Sequence, residues 1–335
     1  MTAAPGRATL MGRRGSGPPG PDGLVVVDKA TGWTSHDVVA KSRGLLGTRK
    51  VGHAGTLDPD ATGVLVLGVG RATKLLRYLS PLGKSYMGEV VLGVETSTLD
   101  AAGEVTAVHD MAAVTLADVT RVAATFVGEI EQVPPMVSAV KVGGRRLHQL
   151  AREGIEVERT PRPVTIHSLD IGPRLDLPSD ELGGEPAARA TDSPPTTHGL
   201  VFTMAVACSS GTYIRTLAAD IGAALGGGAH LRALRRTSVG PFTLADALAL
   251  ETVDAESVRP MVDAVRHLDA VLVDDALAAD VAVGKVLDRT ALAVGADTTG
   301  PWAVLGPSAN LLAVYEPFRD GTVKPALVIP SAADR

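Results

Sequence analysis

The chain has 335 residues, 45% of them apolar and 21% charged, enough for one large core and a smaller second domain. Its single cysteine, Cys208, excludes an intramolecular disulfide and fits a reducing compartment. A net charge of −5 argues against a uniformly basic nucleic-acid binder, but the charge is unevenly placed. Nine Lys and Arg stand against four Asp between Asp28 and Lys84, whereas Leu244 to Asp297 holds eleven Asp and Glu against four Lys and Arg. Phosphate binding needs only a local basic surface.

Residues 1–22 are rich in Gly, Pro and Arg and lack an apolar h-region, so they read as a disordered arm and not as a secretory signal. No stretch approaches the ~18 apolar residues of a spanning helix, so the expected location is cytoplasmic, with no membrane partner. Order is expected from Gly23, where an apolar run to Asp28 predicts a buried strand. A helix follows, capped by Thr34 or Ser35, with Val38, Val39, Ser42, Leu45 and Leu46 on one face. A Gly-punctuated loop over Val51–Gly63 leads into the apolar run Val64–Val69, and Ser85–Leu92 alternates as a strand does. Thr115 and Asp118 have capping-box spacing for a helix through Val127. Val201–Cys208 predicts a strand, and Ile214–Leu225 a helix stopped by a Gly triplet.

Between residues 172 and 199 the composition turns to Asp, Glu, Pro, Ser, Thr and Gly, which predicts a flexible surface insertion. Beyond Arg266, the short apolar runs Ala291–Val294, Trp302–Leu305, Leu311–Tyr315 and Ala326–Ile329 predict a small β-rich domain over residues 266–335. The catalytic part then spans 23–265. There is no internal repeat.

The chemistry centres on the loop. Asp58 precedes Pro59, which pushes it out of the α region and onto stiff, extended backbone. Gly55 and Gly63 flank it and permit tight turns or close approach by a ligand. A rigid loop presenting one carboxylate suits a nucleophile or a general base. A turn-initiating Asp-Pro is the commoner reading of these residues taken alone.

The stretch Gly52-His-Ala-Gly-Thr-Leu-Asp-Pro-Asp-Ala-Thr-Gly-Val-Leu65 resembles the catalytic motif of the TruB family, the tRNA pseudouridine-55 synthases. The likeness continues through Gly70–Lys74, Lys84–Tyr86, Leu92–Asp100, Gln132–Lys141, Gly211–Thr216 and Gly228–Arg236, in the family's order, over most of residues 23–242. It implies an α+β pseudouridine synthase fold. That fold is a mixed, largely antiparallel central sheet flanked by helices, with a small β-rich, PUA-like RNA-binding C-terminal domain.

It also implies the reaction: the uridine of the tRNA T-arm is flipped from its stack and isomerised, with no metal and no cofactor. Asp58 becomes the catalytic aspartate, either attacking ribose C1′ or taking a proton from the sugar. Substrate contacts are implied for His53, Lys74, Tyr86, Tyr213, Arg215 and Leu234. Tyr86 stacks on the flipped base, Leu234 walls the uracil pocket, and His53 replaces the extruded base in the T-arm. Tyr213 and Arg215, two apart in an extended segment, are expected to share a face, with Arg215 holding Asp58 ionised and aimed. Lys141, Arg145, Arg146, Arg232, Arg235 and Arg236 are the implied phosphate contacts. Residues 133–154 match the family's thumb-like insertion, expected to order on RNA.

Asp60 departs from the apolar residue usual beside the catalytic Asp. The Asp58/Asp60 pair invites a glycosidase reading, discounted because both sit on one short loop and no sugar cleft is evident. A non-catalytic RNA chaperone would not need Asp58, Tyr86 and Arg215 together. A guide-dependent pseudouridylase is disfavoured by the compact single chain without a Lys-rich tail. The expected partner is therefore the tRNA T-arm stem-loop, met by a monomer without an obligatory protein partner.

Overall fold

The computed structural model describes residues 20–138, 141–155, 157–173, 200–295 and 297–330. In chain order, β1 (Gly23–Lys29) leads to α1 (Ser35–Leu45), β2 (Val51–His53) and β3 (Thr62–Val69). After a short helix, α2 (Leu76–Leu79), come β4 (Lys84–Leu92), the hairpin β5 (Val94–Thr96) and β6 (Val105–Val108), α3 (Leu116–Ala123) and β7 (Gly128–Gln132). A small hairpin of β8 (Lys141–Val142) and β9 (Arg145–Arg146) precedes α4 (Leu147–Arg152), β10 (Arg162–Pro173) and β11 (Val201–Cys208). Then follow α5 (Ile214–Ala224), β12 (Ala229–Val239), β13 (Phe242–Thr243) and β14 (Leu248–Ala249). The last elements are β15 (Asp269–Leu272), α6 (Asp275–Ala282), β16 (Leu287–Asp288), β17 (Trp302–Leu305), β18 (Leu311–Pro317) and β19 (Thr322–Val328).

The large sheet runs β14-β1-β3-β12-β4-β11-β10-β7, with β2 on β3 and β13 on β12. Only β1·β14 and β3·β12 pair parallel, so the sheet is mixed and largely antiparallel, as expected. A separate five-stranded sheet, β15-β17-β18-β19-β16, forms the β-rich C-terminal part. Strand β1 is apolar from Leu24 to Val27, where both its faces are covered. Val25 and Val27 pack with Val38 and Val39 of α1, whereas Leu24 and Val26 pack with Ala303, Leu311, Val314 and Ile329 of the C-terminal part. A third cluster lies between β4, β11 and β12 and the helices α3 and α5, and a fourth, on Trp302 and Tyr315, lies within the C-terminal part.

Helix starts follow the sequence. Thr34 is the N-cap of α1, its hydroxyl accepting from Asp37 N at 3.1 Å while Asp37 Oδ2 accepts from Thr34 N at 3.0 Å. Thr115 and Asp118 do the same for α3, which ends at Ala123 and tightens into a 3₁₀ turn instead of continuing to Val127. Two boundaries shift. Asp22, assigned to the arm, is fixed by Arg71, whose backbone N and Nε both donate to its carboxylate at 2.7 Å. Strand β10 continues through Pro173, past the expected start of the insertion, and residues 174–199 lie outside the described residues, as do 1–19 of the arm. The expected run Ala291–Val294 is a turn; the strands here are β17, β18 and β19.

Candidate active site

Strand β12 joins the two halves of the sheet, parallel to β3 and antiparallel to β4, and a cavity of about 450 Å³ opens beside this seam. His53, Asp58, Tyr86, Tyr213, Arg215 and Leu234 all line it, so the fold gathers residues spread over most of the chain. Lys74 is not among the lining residues; it lies exposed at the end of the turn after β3.

The Asp58 loop is pinned from three directions. Ser35 of α1 both donates to Leu57 O (3.0 Å) and accepts from Leu57 N (2.8 Å). Lys29, fully buried at the end of β1, gives its ammonium to Ala30 O, Trp33 O and Pro59 O at 2.7–3.0 Å. Arg236 donates to Val64 O, Thr56 O and Gly55 O at 2.7, 3.1 and 3.3 Å. Gly63 closes the loop with φ +100°, and a Cβ there would lie 2.2 Å from Arg236 O. Only glycine lets β12 approach so closely.

Asp58 itself stays 44% exposed toward the cavity, with Arg215 Nε 3.1 Å from its Oδ2. Arg215 is 6% exposed and spends its other donors on Asp100 Oδ2 (3.0 Å), Thr98 O (3.0 Å) and Val137 O (2.9 Å). The guanidinium is therefore a fixed bridge between two carboxylates. Its pull on Asp58 is real but is outweighed. Burial raises the Asp58 pKa above the usual carboxylate range, Arg215 opposes this, and Asp100 adds to the rise. The expected pairing of Arg215 with Asp58 is present, and the cation limits this upward shift.

The expected extended Tyr213–Arg215 segment is also corrected. Tyr213 is the N-cap residue of α5 and Arg215 sits in the first helical turn. Both still reach the cavity because Gln132, 1% exposed, clamps the Tyr213 backbone, accepting from its N at 2.9 Å and donating to its O at 3.3 Å. Tyr86 stands on β4, 9% exposed, its phenol pushed above the ordinary range by burial and pulled back in part by the nearby Arg236 charge. Lys84, two residues earlier, also lines the cavity. Its ammonium bonds Ser80 O, Leu82 O and Ser210 Oγ at 2.7–3.2 Å, and burial lowers its pKa to about 8. His53 lies on β2, its imidazole held below its ordinary range first by burial and then by His36 and Arg236.

The phosphate assignments divide. Alternation along β12 turns Leu234 and Arg236 to this cavity and Arg235 to another, on Trp33 and Leu250. Arg236, 1% exposed, is a loop anchor and not a phosphate contact. Arg235 is taken by Asp28 through two bonds of 2.6 and 3.1 Å, so its charge is already neutralised. Arg232 is exposed and pairs with Glu89 at 3.0 Å, and Arg145 pairs with Glu153. The Lys141 and Arg146 side chains lie outside the described residues. Asp100, Lys29, Lys84 and Gln132 had no separate sequence signal: Asp100, Lys84 and Gln132 sat at the ends of matched motifs and Lys29 outside them, and only folding brings each to Asp58 or its loop.

A carboxylate, an aromatic wall and a fixed guanidinium around a nucleoside-sized cavity suit chemistry on one nucleotide. The chain belongs to the TruB family of pseudouridylate synthases. The family's N-terminal domain matches residues 43–214, and the tRNA pseudouridylate synthase B C-terminal domain matches 215–276. Similar proteins include those named tRNA pseudouridine synthase B from Arthrobacter sp. (45% identical, over 91% of this chain and 96% of that protein) and Geobacillus thermodenitrificans (41%, over 92% and 99%). A Streptomyces coelicolor protein of the same name is 51% identical over 73% of this chain and 77% of its own. Among solved structures, a chain of a Cbf5–Nop10–Gar1 complex aligns at TM-score 0.67 and 27% identity, over 92% of this chain and 86% of that one. The fold is that of the pseudouridine synthases.

Proposed function

We propose that the chain isomerises the uridine at position 55 in the T-arm of tRNA to pseudouridine, acting in the cytoplasm as a monomer without an obligatory protein partner. The observation that carries this reading is Asp58, the carboxylate open to the cavity beside Tyr86 and bridged by Arg215, in a chain of the TruB family. The uridine leaves its stack and enters the cavity between Tyr86 and Leu234. Ionised Asp58 attacks ribose C1′ or removes a ribose proton, and the C1′–N1 bond breaks. The uracil turns, C1′ joins C5, the C5 proton is lost and N1 gains one. Product and substrate have the same composition, so the step consumes no redox equivalent.

The fixed groups keep the geometry through this exchange. Arg215 holds Asp58 aimed while its charge is redistributed, and Lys29, Ser35 and Arg236 keep the loop from yielding. The C-terminal sheet serves as a PUA-like RNA contact, and residues 133–154 as a thumb over the T-arm. Purified protein incubated with a bare T-arm stem-loop is expected to yield pseudouridine, read by nucleoside mass spectrometry after a base-specific label. Absence of product until a guide RNA or a second protein is supplied would refute the single-chain reading.

A further inference from the structure

Beside the cavity, His53 has a neighbour that the mechanism does not use. His36 stands exposed in the first turn of α1, and its ring lies 5.4 Å from the His53 ring at 83°, edge to face. The Thr34/Asp37 capping box fixes the start of that helix, so the His36 Cα has a rigid seat. The His53 ring is half-buried and its Nδ1 makes no hydrogen bond among the described residues, so beyond a backbone hydrogen bond with Gly55 the ring's tilt rests on its packing. Burial, His36 and Arg236 together lower the His53 pKa, which favours the uncharged ring that stacking among bases suits. Building on the reading that His53 meets the RNA where the uridine is extruded, we infer that His36 is a positioning residue for His53. Its ring edge sets the tilt of the His53 ring, and the two imidazoles form one wedge at the cavity rim.

The geometry assigns His36 no contact with the reacting atoms; it acts through its neighbour. An edge-to-face pair of this kind is worth about a threefold to tenfold effect. His36→Ala is therefore expected to lower kcat/KM on a T-arm stem-loop by about that factor, while His36→Phe, which keeps a ring edge, stays within about twofold. Folding is not at stake, because the residue is exposed. The discriminating measurement is the cycle of His36→Ala, His53→Ala and the double variant. If His36 acts through His53, the double variant is no worse than His53→Ala alone. Losses that multiply would overturn the inference, and so would a His36→Ala enzyme equal to wild type while His53→Ala is impaired, or a Phe variant as poor as the Ala one. A His53→Ala enzyme with wild-type kinetics would remove the reading of His53 itself, a result separate from any involving His36.

Discussion

Arg215 sits between Asp58 and Asp100, 3.1 and 3.0 Å from their carboxylate oxygens, and its charge is the main brake on the rise that burial gives the Asp58 pKa. Burial raises the Asp58 pKa, Arg215 lowers it, and Asp100 raises it further. The chemistry needs the ionised carboxylate, so activity falls as pH drops through that raised pKa. Removing the cation lifts the pKa again, and the acid limb of kcat/KM moves to higher pH. Arg215→Gln is expected to move that limb up by ~1–3 units, the usual effect of a close opposite charge. A pH profile with circular dichroism at each point measures it, and an unmoved limb on a folded variant would count against the bridge. Asp58 and Arg215 were nameable from the motifs around them. Asp100 was not, because nothing in its local sequence says that a guanidinium from α5, more than a hundred residues later, will bond it.

At the scale of elements, legibility followed periodicity and stopped where partners were distant. Val201–Cys208 was read to the residue, and α1, α3 and α5 were found from caps and spacing. The order β3-β12-β4 was not legible, since β12 inserts between strands that precede it by more than a hundred residues. That insertion is what makes the site. It turns Arg236 under the Asp58 loop and Arg235 away from it, and it demands glycine at position 63. A run of Leu-Arg-Arg reads as basic surface until the strand's alternation and its neighbours are known. The expected extended Tyr213–Arg215 pair failed for a related reason: the helix Ile214–Ala224 begins one residue before the arginine.

For the whole molecule, the second sheet is not an independent bead. One apolar cluster takes Leu24, Val26 and Val64 from the large sheet and Ala303, Leu311, Val314 and Ile329 from the C-terminal part. Arg77 Nη2 donates to Ala326 O at 3.0 Å and Arg71 Nη1 to Pro330 O, tying the same two parts. Separation would expose that cluster, so both parts are expected to unfold together. The chain carries two tryptophans, Trp33 half-buried against the core of β1 and α1 and Trp302 in the C-terminal core, one reporter on each side. Trp33→Phe and Trp302→Phe variants, followed by fluorescence in urea, should give coincident midpoints. A Trp302 transition well below that of Trp33 would mean that the cluster does not couple the two parts.

The central claim is that Asp58 performs the chemistry and is dispensable for holding the RNA, and Asp58→Asn tests it most directly. The substitution keeps the shape of the loop, pinned by Lys29, Ser35 and Arg236, and removes only the anionic oxygen. Binding of a T-arm stem-loop should stay within about threefold of wild type, since phosphate contacts dominate RNA affinity and Asp58 makes none, while pseudouridine formation disappears. A variant that still forms pseudouridine at near the wild-type rate would contradict the account.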